Sequence, residues 1–189
     1  MDFGEPEHIT MLRESIRRML ERHATKEMMA KWDEEDKVPR SLMGPITELG
    51  VCGMTVPEEY GGSGRDVLGT MVTVEELSRR SMVIATLYLM NSCYGSMNIL
   101  ASGSDEQKQR LLPRLANGEI LFAYGLSEPD VGSDLASVKT RAERRGDKVI
   151  INGTVRGCSG AESADYIYAL VRSGEPDARY KNLSIVLIP

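Results

Sequence analysis

The amino-acid sequence predicts an α+β chain, an all-α helical bundle over residues 1–120 followed by an incomplete antiparallel sheet domain over residues 121–189. Three observations carry this. Up to the Asn117-Gly118 turn, apolar residues recur every three or four positions, the spacing of helices that bury one face. After Glu119 the apolar period falls toward two, and β-branched runs are separated by Gly-Asp and Asn-Gly turns. Between the halves lies YGLSEPDVGSD, Tyr124 to Asp134, whose Pro, two Gly and two Ser make a rigid loop offering hydroxyls and backbone N–H groups.

Composition narrows the classes. The length, 189 residues, suits one large domain or two small ones, and the 41% hydrophobic and 27% charged fractions are those of an ordinary packed core with a charged surface. An aromatic content of 5% and a net charge of −5 argue against a nucleic-acid partner. Cys52, Cys93 and Cys158 are widely spaced, odd in number and form no CxxC pair, which suggests neither a disulfide framework nor a zinc site and fits a reducing compartment. The start, MDFGEPEH, is acidic with no apolar or Arg-rich leader pattern, and the longest apolar run, Met82 to Met90, is too short to span a bilayer, so the expected location is cytoplasmic.

Taken in order, Ile9, Leu12, Ile16, Met19, Leu20 and His23 form the stripe of a first amphipathic helix opened by Pro6. His23, at the edge of that stripe, reads as a packed or capping histidine, and Trp32 with Asp33 to Asp36 as the close of the same helix. Pro39 and Ser41 open a second helix with Leu42, Met43, Ile46 and Leu49 inward, ended by Gly50. Gly61, Gly62 and Gly64 follow no strand and precede no Lys-Ser/Thr pair, so they make a flexible bend between helices and not a phosphate cradle. Val67 to Ala101 is helical with a break near Arg80 and Ser81, and its middle is apolar nearly all round, the mark of a helix buried on most sides. Ser104 to Gln107 spells a capping box that starts a last helix, and Pro113 with Asn117-Gly118 punctuates the end of the helical half. In the second half, Ser137 to Arg145 and Val149 to Ile151 pair across Gly146-Asp147, a second turn follows at Asn152-Gly153, and Tyr166 to Val171 and Leu183 to Ile188 supply two more strands. A sheet of four or five strands with a raw edge is expected.

Four segments in this order, PEEYGG, GSDEQKQRLLPRLANGE, GLSEPDVGSD and TRAERRGDKVIINGT, resemble the amino-terminal half of the acyl-CoA dehydrogenase family over nearly the whole chain. The resemblance implies that the sheet half is an incomplete barrel-like β domain and that FAD lies extended against it without a GxGxxG fingerprint, which this chain lacks. It implies FAD contacts from Tyr124, from the backbone N–H groups of Leu126 and Ser127 with the Ser127 hydroxyl, and from Gly132 and Ser133. Gly157, Cys158 and Ser159 align with the family's second flavin contact, a Trp-Ile-Ser/Thr triplet. Here the Trp is missing, so Gly157 leaves a gap beside the ring, and Val131 puts a branched side chain where the family has a small one. Cys158 reads as a packed thiol, and Glu128 and Asp134 as loop-stabilising or capping carboxylates.

Substrate contacts implied by alignment are Ser133, facing the pantetheine arm, and Leu87, Met90 and Tyr94 in the acyl pocket. The family's further four-helix domain, which carries its catalytic base, has no counterpart in these residues, so no catalytic residue and no metal ligand is named. The implied activity is α,β-dehydrogenation of an acyl-CoA to its trans-2-enoyl thioester with electrons passed to an electron-transfer flavoprotein, in a homo- or hetero-oligomer. The alternatives are a flavin monooxygenase or acyl-CoA oxidase of the same fold, and a non-catalytic partner subunit or gene fragment.

Overall fold

The computed structural model describes residues 4–36, 39–174 and 178–189, so the leader reading at residues 1–3 lies outside them. The chain divides into two compact units, Met1–Leu121 and Phe122–Pro189. The first is helical: α1 (Glu7–His23), α2 (Lys26–Glu34), α3 (Met43–Glu48), α4 (Val67–Arg80), α5 (Met82–Asn91), α6 (Asn98–Ser102) and α7 (Asp105–Ala116). The second holds β1 (Phe122–Gly125), β2 (Arg141–Arg145), β3 (Lys148–Asn152), β4 (Tyr166–Arg172) and β5 (Leu183–Ile188).

The α1 stripe buries Ile9, Ile16, Met19 and Leu20. The first helix ends earlier than its periodicity suggests. Ala24 breaks it, the Thr25 hydroxyl caps α2 by accepting the Met28 N–H at 3.3 Å, and the Arg80 guanidinium donates to the freed Ala24 carbonyl at 2.8 Å. His23 is not packed: it is exposed in the last turn of α1 beside Arg22, where a basic side chain suits the negative helix end. Gly50 ends the α3 segment with φ +75, in the left-handed region. The Gly61–Gly64 bend is pinned and not loose, because the N–H groups of Gly62, Ser63 and Gly64 donate to the carbonyls of Pro57, Gly53 and Val56 at 3.1 Å each.

α4 is docked on α1 by charge. Glu76, with a side chain 2% exposed, accepts from Arg17 Nε at 2.8 Å and Nη2 at 2.7 Å and from Arg13 Nη1 at 2.8 Å. Bonding to Arg17 foremost, with Arg13 and the Arg79 charge, outweighs burial and holds the carboxyl down at about 2. Between α5 and α6 the helix widens to a π segment at Ser92–Met97. Local hydroxyls satisfy its loosened carbonyls, Ser96 donating to Asn91 at 3.2 Å and Ser92 to Tyr88 at 2.9 Å. Both halves of the capping box form at Ser104 and Gln107, and α7 continues through Pro113 to Ala116, so Pro113 does not end it.

The sheet runs β1-β4-β2-β3, with β5 also paired to β4. β2 and β3 form the expected hairpin, Arg145 opposite Lys148 across Gly146-Asp147, and β4 and β5 are antiparallel. β1, however, lies parallel to β4, with Phe122 opposite Tyr166 and Gly125 opposite Ala169, so the sheet is mixed and not antiparallel throughout. A four-residue strand that leads straight into a loop cannot signal its direction by alternation alone. Ala142, Ala169 and Val171, flanked by Ile151, Ile167, Val186 and Ile188, form the core beneath it. Among the described residues no helix is long and apolar enough to cross a membrane, and no cluster of His, Cys, Asp or Glu could hold a metal ion.

Candidate functional site

The segment after β1 is a braced loop with open ends. Glu128 and Val131 exchange backbone hydrogen bonds at 2.9 and 3.2 Å across Pro129-Asp130, making a tight turn. The Glu128 carboxylate, on a residue 7% exposed, folds back under the loop and accepts three donors, the N–H of Lys139 at 2.9 Å and the N–H and hydroxyl of Thr140 at 2.6 Å each. Burial alone would push its pKa up, but the Thr140 hydroxyl and the two backbone N–H groups reverse that and hold it below the usual carboxylate value. The charge is thereby spent on the loop itself, as expected of a stabilising carboxylate. Asp134 likewise takes the Ser137 hydroxyl at 2.5 Å and faces Arg179 at 3.2 Å.

Two further ties fix the loop. The Arg156 N–H donates to the Ser127 carbonyl at 2.8 Å, and the Arg172 guanidinium on β4 donates to the carbonyls of Val138 at 3.0 Å and Ala136 at 2.6 Å. Gly153 is required here for space. A Cβ at this position would stand 2.2 Å from Thr140 Oγ1 and 2.6 Å from its Cα, so any side chain displaces the residue that grips Glu128. Val131 does not crowd the loop; it is buried at 7% exposure and completes the turn with Glu128.

What this framework leaves unspent is the chemistry of the site. Among the described residues the backbone N–H of Leu126 and the hydroxyls of Ser127, Ser133 and Ser159 have no hydrogen-bond partner within the protein, while the Ser127 backbone faces Arg156 across an isolated antiparallel bridge. Ser127 and Gly132 line a cavity of about 490 Å³ together with Arg156 and Gly157. Space beside Gly132 is open, since a Cβ built there would meet nothing within 4 Å. Gly157 also borders empty space, but its φ of +66 is one that glycine adopts without strain, so the missing aromatic side chain goes with a backbone shape that disfavours one. Cys158 is half-buried and burial pushes its thiol pKa up, away from reactive thiolate. Tyr124 lies on β1 and not in the loop, its ring tilted against Tyr168 with centroids 5.8 Å apart.

The structure thus gathers Ser127, Gly132 and Gly157 around one cavity. Leu87 and Met90 are 0% exposed within the helical unit, whereas Tyr94 is half-buried. Arg156, which lines the cavity, and Thr140, which grips Glu128, were not singled out as site residues. Only the three-dimensional bridge to Ser127 and the fold-back of Glu128 reveal them.

The family model for the acyl-CoA dehydrogenase N-terminal domain matches residues 6–119, and that for the acyl-CoA dehydrogenase middle domain matches residues 123–189. Glutaryl-CoA dehydrogenase of Desulfococcus multivorans is 33% identical over 170 residues, 88% of this chain and 43% of that relative, so the chain spans less than half of the relative's length. Among solved structures, a glutaryl-CoA dehydrogenase from Mycobacterium smegmatis in complex with FADH2 superposes with a TM-score of 0.84 at 26% identity, covering 98% of this chain and 46% of that one. The ChsE4-ChsE5 complex from Mycobacterium tuberculosis superposes with a TM-score of 0.81 at 30% identity, covering 100% and 48%.

Proposed function

The chain belongs to the acyl-CoA dehydrogenase family, and from that premise we propose that it forms the helical and first β portions of an FAD-dependent acyl-CoA dehydrogenase. The carrying observation is the set of unspent donors at the Leu126 N–H and the Ser127 and Ser133 hydroxyls, beside an open cavity lined by Ser127 and Gly132, on a loop whose own carboxylates are already satisfied. The residues present fit the cofactor: they combine free donors, small residues and an aromatic neighbour, and they place no unpaired carboxylate at the loop's root. Bound FAD supplies acceptance of a hydride from the β-carbon of an acyl thioester as the α proton leaves, giving the trans-2-enoyl product.

We assign the Leu126 and Ser127 N–H groups to the acceptor edge of the isoalloxazine, where donors held in advance favour developing negative charge. The hydroxyls of Ser127 and Ser159 serve the ring's polar rim, Tyr124 flanks it, and Cys158 packs nearby as an inert thiol. Gly132 lets backbone approach closely, and Ser133 serves the cofactor's diphosphate and the pantetheine arm of the thioester. Leu87, Met90 and Tyr94 are the acyl-pocket candidates. None of these residues is assigned as the base that removes the α proton, so the active assembly draws that group from elsewhere and passes electrons to an electron-transfer flavoprotein. The name of the ChsE4-ChsE5 complex favours a second reading, in which the chain is one subunit of a hetero-oligomer that completes the site.

Adding FAD to the purified chain tests the cofactor reading. A stoichiometric, perturbed flavin spectrum supports it, and a spectrum identical to free FAD removes it. Acyl-CoA-dependent dye reduction by the complete assembly then tests the reaction, and oxygen consumption in place of dye reduction would redirect it to an oxidase or monooxygenase.

A further inference from the structure

A second cavity lies wholly within the helical unit, between the amino-terminal half of α4 and the segment from the π turn into α6. Its volume is about 630 Å³, and Met54, Val67, Met71, Val74, Met97 and Leu100 supply apolar walls. That volume is in the range of roughly 300–1,000 Å³ occupied by small-molecule sites, which are mostly apolar with a few placed polar groups. Val67, Met71 and Met97 are 55%, 65% and 43% exposed, so the walls are open to an incoming chain.

Two charged residues stand in the lining, Arg65 and Asp66. Asp66 is committed: its carboxylate caps α4 by accepting the Gly69 N–H at 2.8 Å, at the positive end of that helix. The exposed Arg65 has neither a hydrogen bond nor an ion pair among the described residues. Thr55 forms part of the wall, 7% exposed, and its hydroxyl has no partner among the described residues. An apolar slot with one uncommitted cation at its lining and one unspent hydroxyl in its wall is complementary to a molecule with an aliphatic tail and a single anionic head.

We propose that this cavity binds a free medium- or long-chain fatty carboxylate, its tail along Met54, Met71 and Met97 and its carboxylate on the Arg65 guanidinium. Methionine walls suit this ligand, because flexible thioether side chains adapt to tails of varied length. The guanidinium offers paired donors matching the two carboxylate oxygens. The proposal is independent of the flavin reading, since every residue it uses lies in the helical unit.

Calorimetric titration of the 189-residue chain with decanoate, octanoate and decanol below their micellar concentrations tests it. The expected result is one saturable site. Decanoate should bind about tenfold tighter than octanoate, each added methylene contributing roughly threefold to fourfold. Arg65→Gln should weaken decanoate by about tenfold, the scale of one charge-assisted hydrogen bond, and leave decanol unchanged. Met71→Asp, at a surface position that does not threaten folding, should abolish binding of both. Equal affinity for decanoate and decanol with no dependence on Arg65 overturns the assignment in favour of a neutral acyl tail. Absence of saturable binding, with a chain that self-associates until Met71→Asp makes it monomeric, overturns it in favour of a protein contact.

Discussion

Among the described residues the helical unit and the sheet unit each bury one glutamate, and they satisfy it in opposite ways. Glu76 is met by guanidiniums from Arg13 and Arg17 on another helix, so its charge is neutralised and two helices are clamped together. Glu128 is met by backbone N–H groups and a hydroxyl, and it makes no ion pair among the described residues. A charge pair joins elements with little regard for backbone shape. A hydrogen-bonded cradle instead dictates the shape of the chain around it, and here it fixes a loop while leaving the Leu126 amide at the loop's root unspent. The first device joins two helices, and the second sets the shape of one loop.

The sharpest way to break this contrast is Glu128→Ala, which strands three donors at once. A loss of about 3 kcal/mol in the sheet unit is expected, together with loss of FAD uptake, read by denaturant unfolding and flavin titration. Glu76→Ala should cost about 2 kcal/mol, less because its arginines are partly exposed and regain water, and should leave FAD uptake intact. Trp32, the sole tryptophan, lies in α2 and its fluorescence reports the helical unit.

Acid sharpens the comparison further. The Glu76 pKa falls from 4.5 to about 2 on folding, so its contribution is complete above pH 4.5 and lost as pH drops toward 2. Glu128 is lowered too and acts in the same direction. Glu76→Gln should therefore flatten the acid limb of the Trp32 unfolding curve between pH 4.5 and 2. Gly153→Ala should cost about 1–2 kcal/mol and weaken FAD uptake, because its Cβ displaces Thr140 from Glu128. Gly157→Ala should cost about 1 kcal/mol at most, since only its left-handed backbone and not space is at stake.

What could be read from the residues follows the range of each interaction. The capping box at Ser104, the β2–β3 turn and the Gly50 stop depend on a few adjacent residues, and each forms as its local chemistry requires. The break at Ala24 was missed because the group that rewards it, Arg80, is 56 positions away. The parallel course of β1 depends on β4, more than forty positions downstream, and the π turn depends on hydroxyls that look like ordinary helix residues. At the site, Ser127 and Gly132 were legible from loop composition and family pattern. The grip of Thr140 on Glu128 and the bridge from Arg156 to Ser127 join segments that no local pattern connects.

The central claim is that the Leu126 amide is held ready for an external acceptor, with the Ser127 amide beside it on the Arg156 bridge close enough to sense one. Amide NMR of the isotopically labelled chain, titrated with FAD, addresses it most directly. The account predicts that these two resonances shift with one equivalent of FAD and become protected from solvent exchange, while those of Glu128 and Val131, already bonded to each other, stay protected throughout. Leu126 and Ser127 amides that remain unshifted and freely exchanging in the presence of bound FAD would contradict it.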